Sequence, residues 1–112
     1  MKEANQYDTA HKEYATVADR EKIIIEELRV DPDFAELYVK TALEEINEDG
    51  GLAGFLTALR RVIEARGGIS EVAKKTGLAR QTISKALSIK GNPTINTLTK
   101  LLSVAGLKLT LR

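Results

Sequence analysis

Arg80, Gln81, Thr82, Ser84 and Lys85 stand around a single apolar residue, Ile83, within six consecutive positions. On a helix, Ser84 and Lys85 fall one turn after Arg80 and Gln81, giving an outward face with no acid and no large apolar group. Such a face suits the edges of base pairs. Glutamine can bond adenine N6 and N7; arginine can bond guanine O6 and N7, although Arg80 suits a phosphate equally well. Lys74, Lys75, Lys90, Asn92 and Thr94 bracket this stretch and suit phosphates, which fix register without reading sequence. Other chemistry is thinly supplied. The 112 residues include no cysteine and one histidine, His11, which removes thiolate sites and the usual parts of zinc and Ser-His-Asp centres. After residue 50 the only acids are Glu64 and Glu71, so neither enzymatic activity nor a cofactor is expected.

The elements that must hold this face are legible around it. Residues 69–88 meet the demands of a helix-turn-helix: Ala73 is small where two helices cross, Gly77 sits in the tight turn, and Val72, Leu78, Ile83 and Leu87 fix the angle. The spacing predicts a helix from Ser70, as N-cap, to Thr76 and another from Arg80 to Leu87 or Ser88. Upstream, Leu52, Phe55, Leu56, Leu59, Val62 and Ile63 form a helical stripe closed by Gly67-Gly68. Downstream, the loop Gly91-Asn92-Pro93-Thr94 caps a helix with Ile95, Leu98, Leu101, Leu102 and Ala105 on one face, and Gly106 ends it. In the last six residues Leu107, Leu109 and Leu111 alternate with polar side chains, a strand pattern. Such a strand would pair with the Ile23–Ile25 run or with its own copy across a two-fold axis.

The first half is less sharply patterned. Residues 1–18 show no sustained period and are expected to be poorly ordered unless bound. The run Ile23, Ile24, Ile25, Leu28, Val30 fits a strand by its isoleucines and a helix by its charged neighbours. Asp31-Pro32-Asp33 is a helix start, predicting a helix to about Asn47 with an inward stripe of Phe34, Leu37, Tyr38, Ala42 and Ile46. Acids then gather at its C-terminal end, where the helix dipole disfavours them.

The formal charge of +1 conceals a split at Gly50-Gly51. Residues 1–50 hold 6 Lys and Arg against 14 Asp and Glu, net −8; residues 51–112 hold 11 against 2, net +9. A basic half of this kind attracts polyanions, and an acidic half attracts a basic partner, unless the two halves simply screen each other. Hydrophobic residues at 43% and charged residues at 29% describe an ordinary globular chain, and no 18-residue apolar run or signal-peptide pattern occurs. A cytoplasmic protein with no membrane contact is expected. A purely protein-binding module would leave the Arg80–Lys85 face unexplained.

The turn Thr76-Gly77-Leu78-Ala79-Arg80 and the Gly91–Thr94 loop before a leucine-rich helix resemble the Cro/phage-repressor (Xre) class. More narrowly, Asp31-Pro32-Asp33-Phe34, Ala42-Leu43-Glu44-Glu45, Gly67-Gly68-Ile69-Ser70 and Lys90-Gly91-Asn92-Pro93 resemble the addiction-module antidote proteins, relatives of HigA-type antitoxins, over residues 23–112. The resemblance implies an all-α fold: a five-helix, lambda-repressor-like domain over residues 51–112, with an acidic helical extension over residues 1–50. It implies a homodimer that binds double-stranded operator DNA, represses its own operon and neutralises a small basic RelE/HigB-like ribonuclease toxin. A stand-alone prophage-type repressor is the alternative. Two departures matter: Ile69-Ser70 stands where many such repressors carry a phosphate-binding glutamine, and Ala86 where a larger apolar residue is usual.

Overall fold

The fold is organised around the longest of its described helices, whose apolar residues recur at three- and four-residue spacing. This helix, α3, spans Gly51–Ala65 in a computed structural model that describes residues 16–109, and buries Phe55, Leu56, Ala58, Leu59, Val62, Ile63 and Ala65. Among the described residues two helices precede it, α1 (Val17–Val30) and α2 (Pro32–Glu44), and three follow, α4 (Gly68–Thr76), α5 (Arg80–Ala86) and α6 (Ile95–Val104). One hydrophobic cluster joins all six, from Leu28 of α1 and Val39 of α2 through α3 to Val72, Ile83 and Leu101. The charge boundary at Gly50-Gly51 is therefore not a boundary of the core. Burying each such aliphatic side chain contributes about 1.5–3 kcal/mol before entropy is counted.

The isoleucine run is helical. Thr16 and Asp19 form a capping box, the Thr16 hydroxyl accepting from Asp19 N at 3.0 Å and the Asp19 carboxylate from Thr16 N at 3.2 Å. Ile24, Ile25 and Leu28 then turn toward the core, while Ile23 is 58% exposed. Of the first 18 residues, 1–15 lie outside those described; Thr16 is the cap of α1, and Val17 and Ala18 belong to its first turn. α1 stops before Pro32 because the ring of a proline crowds a helical residue ahead of it. Asp31 then caps α2, accepting from Phe34 N at 3.0 Å.

α2 departs from its pattern in two ways. It ends at Glu44 rather than about Asn47, because the start of α3 presses on its end: a Cβ at Gly51 would lie 2.2 Å from the Glu45 carbonyl oxygen. Its fully buried positions are Ala35 and Val39, so the stripe is rotated; Phe34 and Leu37 are 39% and 58% exposed, and Tyr38, Ala42 and Ile46 only half-buried.

Further corrections fall in the second half. Residues 51–104 form four helices, not five, and no strand occurs among the described residues. Leu107 turns back instead, its N–H bonded to Leu102 O at 2.9 Å and its side chain against the core; Leu111 lies outside the described residues. α4 begins at Gly68 with Gly67 as its cap, so Ser70 is an exposed helical residue rather than the N-cap. Leu52 and Ile95 are exposed and Leu98 is half-buried, while the other residues of the two stripes are buried as expected.

Candidate nucleic-acid interface

The turn between α4 and α5 is fixed by short-range bonds. Thr76 donates its hydroxyl to Val72 O at 2.8 Å and accepts from Leu78 N at 3.2 Å, while Gly77 adopts φ +77° and donates to Ala73 O at 2.9 Å. A side chain at Gly77 would be strained in that conformation. Behind the turn Val72 and Ile83 are fully buried, and Ala86 and Leu87 nearly so, so the smaller Ala86 is accompanied inward by its larger neighbour. This packing leaves Arg80, Gln81, Thr82, Ser84 and Lys85 all exposed.

Those five side chains divide between two shallow hollows flanking α5. Arg80, Gln81 and Ser84 border one with Ile69 and Ala79; Thr82 and Lys85 border the other with Lys90, Asn92 and Thr94. The loop is held close because Gly91 packs on the end of α5: an added Cβ would stand 2.1 Å from the Ala86 carbonyl oxygen. Every residue expected in the interface is thus exposed and beside another of the set. Thr94 differs in one respect. Its hydroxyl accepts from Thr97 N at 3.1 Å and donates to Thr97 Oγ1 at 3.2 Å, so it is already committed to starting α6.

Electrostatically, the surface is open to anions. None of Lys74, Lys75, Arg80, Lys85 and Lys90 pairs with a carboxylate among the described residues. Three other cations of the basic half are engaged elsewhere. Arg61 donates to both carboxylate oxygens of Glu21 at 2.8 and 2.9 Å and to the Tyr38 hydroxyl at 2.8 Å. Arg60 lies 3.5 Å from Glu21, and Arg66 donates to Leu28 O at 3.4 Å. The bond from Arg61, reinforced by its charge, holds the Glu21 carboxyl below the usual glutamate range; the same bond and the one to Tyr38 raise Arg61. Among the described residues, mutual screening of the two halves is real at this seam and absent around α5.

A further basic cleft escaped the sequence reading. Lys75 and Thr76 at the end of α4 face Thr99, Lys100 and Ser103 of α6 across it. The signal was the polar side of α6, at positions three and four apart, but only folding brings it to Lys75. No group of three or more His, Cys, Asp or Glu arranged for a metal occurs among the described residues. Nor is any described helix long and apolar enough to cross a membrane.

Comparison with known proteins locates this arrangement. A family model described as probable addiction module antidote protein matches residues 19–112, which includes α2 through α6 and all but the first two residues of α1. An uncharacterized protein of Haemophilus influenzae is 32% identical over 74 residues, 66% of this chain and 75% of its own length. No solved structure matches.

Proposed function

The chain belongs to the addiction-module antidote family, whose members imply a toxin partner, and on that premise we propose that it is a DNA-binding antitoxin. It acts without catalysis: a homodimer occupies operator DNA, represses its own operon and neutralises a small basic RelE/HigB-like ribonuclease. The observation that carries the DNA half of this reading is the outward face of α5, acid-free and unpaired, standing on a fully buried Ile83.

With seven residues, α5 is about 10 Å long, close to the roughly 12 Å width of the major groove. Entering by its N-terminal end, it brings Arg80 and Gln81 to base edges, with Ser84 and Lys85 one turn behind. Lys90 and Asn92 then meet the flanking phosphates beside Lys85, and Lys74 and Lys75 approach the backbone from α4. Two such helices related by a two-fold axis reach half-sites about 34 Å apart.

The test is binding of the full chain to the DNA immediately upstream of its own gene, measured across a salt series. Neutralising about six phosphates per dimer gives a log-log slope near −5. A flat response would assign the basic surface another role, and a single unrepeated half-site in the footprint would remove the dimer.

A further inference from the structure

The two exposed apolar residues of α2, Phe34 and Leu37, do not stand alone. With Tyr38 and Ala42 they line one side of a groove of about 440 Å³ whose other side is Gly54 and Phe55 of α3. That volume lies within the range of about 300–1,000 Å³ typical of occupied pockets. Glu45, Glu48 and Asp49 line the same groove, and none is ion-paired among the described residues. They sit just past the C-terminal end of α2, where the helix dipole is negative and the last turn holds no basic residue. A cation from outside is the natural complement of that end.

Gly54 is the second observation. It lies within α3, adopts no positive φ, and a Cβ added there would meet nothing within 4 Å. Glycine inside a helix is unfavourable, and nothing among the described residues requires it at this position. Its neighbour Gly51 has an internal reason, the carbonyl of Glu45; Gly54 has only the open groove.

We propose that this α2–α3 groove is where the toxin docks, receiving a segment with an apolar anchor side chain flanked by lysine or arginine. The anchor lies between Phe34, Leu37 and Phe55, close over the bare backbone of Gly54, and the flanking cations meet Glu45, Glu48 and Asp49. This rests on the antitoxin reading and assigns it a surface distinct from α5.

The test uses the full chain and the small protein encoded by the adjoining reading frame, with affinity measured by calorimetry. Gly54→Leu fills the groove, Leu37→Lys removes its apolar wall, and the pair Glu45→Lys and Glu48→Lys reverses the rim. Each weakens the complex by about tenfold or more, as expected for anchor and charge-pair positions. The uncharged Gly54→Leu leaves operator affinity unchanged, helical circular dichroism is unchanged in all, and the rim reversal, which suits the helix dipole, does not lower the melting temperature. Gly54→Ala raises it. If the complex forms and none of the variants weakens it, the docking assignment falls while the antitoxin reading stands. If the unmodified chain forms no complex, both fall. If the variants instead alter self-association with toxin affinity intact, the groove belongs to a second copy and the proposal is overturned.

Discussion

The α5 face and the α2–α3 groove differ most in what they do with apolar atoms. On α5 itself the partition is strict: Ile83 and Ala86 are buried and every outward residue of the helix is polar or cationic, the exposed Ile89 lying beyond its end. Along α2 it is inverted, with Ala35 inside and Phe34 and Leu37 outside. A hydrated polyanion offers nothing for an exposed leucine to bury against, whereas another folded protein does. The contrast also shows that charge counted along the chain misplaces partners. Arg60, Arg61 and Arg66 count with the basic half, yet they bind Glu21 and the carbonyl of Leu28 and so belong to the seam between halves.

The sharpest way to break this contrast is to delete similar groups on both sides. Ile83→Ala empties a fully buried site and should cost about 2–5 kcal/mol in chemical denaturation, while Leu37→Ala, on an exposed position, should cost no more than about 0.5 kcal/mol. Equal costs would make the groove part of the core. Next in size, Gln81→Ala and Lys85→Ala should each weaken operator binding by about 1–3 kcal/mol and relax preference at one base position, with toxin affinity intact. Operator binding unaffected by either would remove α5 as the reading helix. The smallest effect concerns the seam. Glu21→Gln should cost about 1 kcal/mol or less at neutral pH. Because the Glu21 carboxyl titrates below its ordinary value when folded, the stabilisation is fully present above the unfolded glutamate pKa of about 4.3 and is lost as pH falls through the lower folded value. The two proteins should therefore melt progressively more alike below about pH 4. A gap that widened in acid would contradict the pairing.

Much of the second half was readable because its punctuation is local. Gly77 requires a left-handed backbone, Thr94 caps through its own hydroxyl, and the α3 stripe is long enough to fix its phase. Errors arose where two local signals compete or where a distant one decides. Ser70 is a good cap in isolation, yet Gly67-Gly68 already turns the chain and α4 starts there. The alternation of Leu107 and Leu109 reads as a strand, but pairing requires a neighbour, and the Ile23–Ile25 run is helical because a capping box opens α1. The phase of α2 was misjudged because four large apolar residues, Phe34, Leu37, Tyr38 and Ile46, outweigh Ala35 and Val39 by size, although the small ones let α2 lie close against α3. For the site, each exposed side chain of α5 and the acids past the end of α2 were identifiable; the Lys75–Lys100 cleft and the apolar groove those acids border needed tertiary structure.

The single hydrophobic cluster shared by all six helices has a consequence for the lifetime of the chain. Without separate cores, neither half has its own reserve of stability, and cooperative unfolding exposes both to proteases at once. A ligand on either face stabilises the whole by mass action, about 2.7 kcal/mol at a hundredfold excess over Kd. That is roughly a hundredfold smaller unfolded population, so occupancy of one face slows turnover of the other.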